Sequence, residues 1–99
     1  MPALIVYVDV DDTLIRSAGT KRVPIPSAVA RVRKLKVAGA TLYLWSTAGA
    51  DYARATAEEL GLSDCFVGYL PKPNVIIDDQ PIQEWRDFRH FYPLQDFEL

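Results

Sequence analysis

Ninety-nine residues, 49% hydrophobic and 24% charged, are enough for one globular domain around a single core and leave no room for a second. A formal net charge of −2 excludes a general affinity for nucleic acid or anionic membranes. The charge is nonetheless uneven: residues 13–50 contain no acid, yet carry Arg16, Lys21, Arg22, Arg31, Arg33, Lys34 and Lys36.

The first apolar run, "ALIVYVD", is rich in Val, Ile and Tyr without polar alternation, as expected of a parallel strand covered on both faces. It ends in Asp9, Asp11 and Asp12, three acids within four positions, whose repulsion calls for a cation or a shared proton. The following "RSAGTKRVPIP" reads as a loop on composition. Ser27 is the expected N-cap of a helix in which Val29, Val32 and Leu35 form the apolar stripe and Gly39 supplies the stop. The basic run 31–36 reads as its solvated face.

"ATLYLWS" is a second strand, with Trp45 in the core, and residues 50–60 a second helix. Tyr52, Ala53, Ala57 and Leu60 lie near one face of that helix, and Gly61 ends it. "CFVGYL" and "NVIIDD" read as a third and a fourth strand. The alternation of strand and helix predicts a doubly wound, three-layer α/β/α sheet, mostly parallel and Rossmann-like. The single cysteine, Cys65, excludes an internal disulfide and sits in an apolar context, as a small buried hydrophobe.

The tail "QPIQEWRDFRHFYPLQDFEL" contains Trp85, Phe88, Phe91 and Phe97, which either cover the sheet, form a contact between copies of the chain, or present a platform to an aromatic substrate. His90 reads as a surface residue. No stretch approaches the ~20 apolar residues of a membrane span, and the start lacks the basic first segment and small-residue cleavage site of a signal peptide. The expectation is a cytoplasmic protein.

In an open α/β sheet, ligands bind beyond the carboxyl ends of the strands. The polar residues collect at those ends: Asp9 and Asp11 after the first run, Ser46 and Thr47 after the second, Asp78 and Asp79 after the fourth. Residues two apart on an extended chain point the same way, so Asp9 and Asp11 face one site. Converging carboxylates suit a hard dication such as Mg²⁺, which takes oxygen ligands and keeps water and phosphate in its shell.

These residues resemble the haloacid dehalogenase (HAD) superfamily of phosphohydrolases. "VYVDVDDTL" is similar to that family's first motif, a hydrophobic strand followed by Asp-x-Asp-x-Thr-Leu; "LYLWST" to its second, a strand ending in Ser or Thr; "VIIDD" to its fourth, a strand ending in paired acids. The matches run in the family's order over residues 4–80. The resemblance implies a Mg²⁺-dependent phosphatase acting on phosphate monoesters through an aspartyl-phosphate. Asp9 would be the nucleophile; Asp11 would protonate the leaving oxygen and then activate water, its carbonyl helping to hold the metal. Ser46 and the amides of residues 10–12 would donate hydrogen bonds to the phosphoryl group. Asp79 would complete the metal set with Asp78 behind it, or the two would exchange roles. Asp12 occupies a position that is often Gly in the family and reads as a turn residue.

The family's third motif is a lysine beside the phosphoaspartate, and Lys72 is the candidate, with Arg16, Lys21 and Arg54 as substitutes. If "CFVGYL" and "NVIID" were parallel neighbours, their connection would need a dozen or more residues, and "PKPN" offers four. Either the third run is not a regular strand, or Lys72 sits at the far end of the fourth. The intervals between motifs leave no space for the cap domain of larger members. The resemblance is thus to capless phosphatases, whose open sites take bulky phosphate esters or are covered by a neighbouring subunit, so homo-oligomerisation is an expectation. The rival reading is a degenerate HAD-like module that binds a ligand or partner without turnover. A response-regulator receiver is disfavoured, because Ser46 precedes Asp78 and no acid follows "CFVGYL". Haloacid dehalogenation, which needs no metal, and mutase chemistry, which needs a cap, are disfavoured too.

Overall fold

The computed structural model describes residues 4–96. Its strands are β1 (Ile5–Asp9), β2 (Ile15–Ala18), β3 (Lys21–Pro24), β4 (Thr41–Ser46) and β5 (Gly68–Pro71); its helices are α1 (Pro26–Val37) and α2 (Ala50–Glu59), with a single 3₁₀ turn at Ile82–Glu84. β1, β4 and β5 form a parallel sheet in the order β1-β4-β5. The class is therefore α/β with a mostly parallel sheet, as the alternation of elements predicts. Within the sheet Asp9 pairs in register with Trp45, and Ser46 with Pro71, which brings the carboxyl ends of all three strands to one edge.

Side-chain alternation assigns the two faces of the sheet. On β4, Leu42 and Leu44 are wholly buried, while the alternating Thr41, Tyr43 and Trp45 are only half-buried. The buried cluster holding Leu42 and Leu44 also contains Ala28 and Val32 of α1 and Ala53 and Ala57 of α2. Both helices thus pack on one face, as expected when two successive right-handed crossovers step in the same direction across a sheet. The second helical layer of a three-layer arrangement does not appear among the described residues. The other face carries Tyr7, whose ring lies 5.2 Å from Tyr43 and 5.0 Å from Trp45. Trp45 therefore belongs to this aromatic face rather than to the buried core.

Both helices lie where periodicity puts them, with Val29, Leu35, Tyr52 and Leu60 packed against the cluster, and α1 and α2 give way at Gly39 and Gly61 as expected. The N-cap of α1 is Ile25, not Ser27: Pro26 takes the first helical position, where its missing N–H and fixed φ cost nothing. The segment read as a loop is a hairpin, with β2 and β3 antiparallel and Gly19-Thr20 as a two-residue turn. Burial pushes the Cys65 thiol up, with Asp64 adding to the effect, so it stays protonated and inert at neutral pH.

The fourth run is the principal correction. "NVIIDD" forms no strand; Val75, Ile76 and Ile77 are exposed at 75%, 46% and 97%. The chain leaves β5 at the carboxyl end of the sheet, and too few residues follow for it to return and begin another parallel strand. The tail does not complete the core either: Trp85 and Phe91 are half-buried, Phe88 and His90 exposed, and Phe97 lies outside the described residues. Arg31 ties the tail to α1 by donating to the carbonyls of Pro93 and Gln95. No helix among the described residues is long and apolar enough to cross a membrane.

Gly68, at the start of β5, lets the Tyr43 ring lie against the backbone. A Cβ there would stand 3.0 Å from Cε1 and 3.1 Å from Cδ1 of that ring, which is itself wedged against Tyr7. Gly68→Ala is expected to cost about 1–3 kcal/mol by overpacking, lowering the thermal midpoint by roughly 5 °C or more. An unchanged melting curve would show that the ring can move aside.

Candidate active site

The turn after β1 builds the first part of the site. Val10 is wholly buried, and the amides of Thr13, Leu14 and Ile15 all donate to its carbonyl. With Val10 turned into the core, alternation turns Asp9, the last residue of β1, away from it, while Asp11, beyond the strand, reaches towards α2. Asp12 closes the turn with φ +61°, a left-handed conformation that Asp tolerates better than most side chains, and its amide donates to the Ile15 carbonyl at 2.7 Å.

Asp9 is held at both oxygens. The Thr13 hydroxyl donates to Oδ2 at 3.0 Å, and the Lys72 ammonium stands 3.0 Å from Oδ1. Both charged side chains keep about a third of their surface open, at 29% for Asp9 and 31% for Lys72. Lys72 follows the last residue of β5 directly; its amide donates to the Ser46 carbonyl at 2.9 Å, and its ammonium lies 5.7 Å from the centroid of Trp45. The two positions considered from sequence for the third motif are both superseded. "CFVGYL" does contain a regular parallel strand, and because "NVIIDD" is none, Lys72 stands at the carboxyl edge beside Asp9.

Asp11 is exposed and accepts a hydrogen bond at Oδ1 from the Tyr52 hydroxyl of α2 at 2.7 Å. Tyr52 in turn accepts from Arg22 Nη2 at 3.1 Å, and the same guanidinium reaches Thr56 at 3.0 Å and pairs with Glu59. Burial, then the bond to Asp11, push the Tyr52 hydroxyl up, so it remains a donor at neutral pH. Sequence reasoning gave Tyr52, Arg22 and Thr13 no role. Periodicity counts Tyr52 only as part of an apolar face, and composition hides the hairpin that delivers Arg22.

Ser46 and the acidic pair are not placed as expected. Because Trp45 shares Asp9's face, Ser46 belongs to the opposite one; it is 1% exposed, and its Oγ accepts from the Ala48 amide at 3.0 Å. Its carbonyl, receiving the amides of Gly49 and Lys72, is what touches the site. Asp78 folds back to accept from the Gln80 amide at 3.0 Å, and with Asp79 lines a shallow depression that includes none of Asp9, Asp11 and Lys72. Among the described residues no three His, Cys, Asp or Glu side chains group closely enough to hold a metal ion. In this arrangement Asp9 and Asp11 are engaged by Thr13, Lys72 and Tyr52 while the 78–79 pair lines a separate depression, so the carboxylate set expected for Mg²⁺ is not assembled among the described residues.

No protein-family model matches this chain, and no curated protein or solved structure matches it either.

Proposed function

We propose that the protein hydrolyses phosphate monoesters through an aspartyl-phosphate on Asp9. One observation carries the reading: a carboxylate at a strand end, fixed by a hydroxyl on one oxygen and paired with an ammonium on the other, with a second carboxylate two residues on. A carboxylate alone repels a phosphate dianion. Lys72 offsets that repulsion and is positioned to draw a phosphoryl oxygen towards Asp9.

In the first half-reaction an Asp9 oxygen attacks phosphorus, the P–O ester bond breaks in line, and protonated Asp11 gives its proton to the departing oxygen. In the second, Asp11, now a carboxylate, takes a proton from water; the hydroxide attacks phosphorus, releasing inorganic phosphate and restoring Asp9. Each half-reaction leaves the positive charge of Lys72 in place against the phosphoryl oxygens. The requirement for Mg²⁺ enters the proposal through the motif resemblance alone. The partial exposure of Asp9, with no cap over it among the described residues, favours esters whose leaving group needs no enclosing pocket.

A second reading, a HAD-like module that binds phosphate ligands without turnover, is favoured by one observation: the incomplete carboxylate set. Release of inorganic phosphate from p-nitrophenyl phosphate and from glycerol phosphate, with and without Mg²⁺, separates the two. Turnover supports the hydrolase. Saturable binding of inorganic phosphate with no turnover under either condition selects the binding module.

A further inference from the structure

The contacts around Asp11 extend beyond the groups that the reaction itself requires. Asp11 lies in the turn after β1, Tyr52 in the first turn of α2 and Arg22 on β3, so three separate elements meet at one carboxylate. Resting on the hydrolase reading above, we infer that Tyr52, oriented by Arg22 of the hairpin, is a positioning residue that fixes which oxygen of Asp11 carries the transferable proton.

A phenol oxygen both donates and accepts, and the direction of its proton is open until its lone pairs are engaged. Here the oxygen of Tyr52 accepts from Arg22 at 3.1 Å, so its proton is committed to Asp11 Oδ1 at 2.7 Å. Arg22 is itself held. It pairs with Glu59, donates to the buried Thr56 hydroxyl at 3.0 Å, and stacks 5.2 Å from the centre of the Tyr52 ring. Thr56 is locked too, its hydroxyl donating to the Tyr52 carbonyl at 3.0 Å. With Oδ1 occupied by a donor, the proton of neutral Asp11 resides on Oδ2, and the carboxyl plane cannot rotate without breaking the bond to Tyr52. Oδ2 is then the one atom that protonates the leaving oxygen and later takes the proton of water. The hairpin, exposed from Arg16 to Pro24, acquires a role: through Arg22 it clamps α2 to the turn that holds Asp11.

Leaving-group dependence tests the inference. Protonation matters for an alkoxide and little for a nitrophenolate, so a defect in the proton donor shows on the first and fades on the second. Tyr52→Phe keeps the ring and removes the hydroxyl. It is expected to lower kcat/KM, which reports formation of the aspartyl-phosphate and not its hydrolysis, by about 10- to 100-fold for an alkyl phosphate, part of what a positioned proton donor supplies. On p-nitrophenyl phosphate the loss should shrink to about threefold or less. Arg22→Ala should fall in the same direction by a smaller factor. In an Asp11→Asn background Tyr52→Phe should cost nothing further, because residues acting through one another are not additive. Equal losses on both esters, or full additivity with Asp11→Asn, would overturn the inference while leaving the hydrolase reading intact. A wild-type protein that turns over no ester would overturn the hydrolase reading, and the inference with it.

Discussion

Asp9→Asn is expected to abolish phosphate release, by a factor on the order of 10⁴ or more, while the fold survives. An amide oxygen is a poor nucleophile and carries no formal charge, and no other acid occupies the end of β1 in the same pairing with Lys72. Asparagine is nearly the same size and still accepts through one oxygen, so either the Thr13 hydroxyl or the Lys72 ammonium keeps a partner. The structural cost is correspondingly small. A pair with about a third of each side chain exposed contributes ~1 kcal/mol or less, and the thermal midpoint should shift by only a few degrees. Phosphate release and a thermal melt on the same sample check both halves. Loss of activity with a collapsed melt would assign Asp9 a structural role, and undiminished activity would refute the nucleophile.

How much of this was legible in the sequence depends on what each residue's signal encodes. β1, β4 and both helices announce themselves because apolar runs and 3.6-residue stripes report burial, and the buried cluster draws on those same residues. The run "NVIIDD" has the same composition but is exposed, because apolar content alone does not say whether a partner strand is within reach. The short connection after Lys72 held that information, and it weighed against the fourth strand rather than against the lysine. Ser46 shows a different limit. Its position at a strand end is readable, but its face depends on the register of β4 against β1, which pairs Trp45 with Asp9 and turns the neighbouring hydroxyl inward. Asp78 and Asp79 do not end a strand, and they line a depression apart from Asp9 and Lys72. Tyr52 and Arg22 left no trace in the sequence, since their meeting with Asp11 depends on a hairpin too short and too exposed for period-two alternation to reveal.

Lys72→Met should be the most damaging change after loss of the nucleophile, for an electrostatic reason. The substitution keeps an unbranched side chain of similar length and removes the ammonium, together with its cation–π contact 5.7 Å from the centroid of Trp45. What is lost is the one cation that pairs with Asp9 among the described residues. Bringing a phosphate dianion to an ionised carboxylate then proceeds without local compensation, and the charge that builds on the phosphoryl oxygens in the transition state loses its preorganised partner. Removal of one such group costs about 10² to 10³ in rate, and the loss should fall on kcat as well as on KM because the ammonium is needed most at the transition state. Lys72→Arg should recover only part of the rate, since the charge returns but the planar guanidinium cannot take the position of a compact ammonium 3.0 Å from Oδ1. Steady-state kinetics of the three proteins on one ester decide the matter. Wild-type rates in Lys72→Met would reduce the Lys72–Asp9 pair to a tie between β1 and β5, with the phosphoryl charge met by some other group.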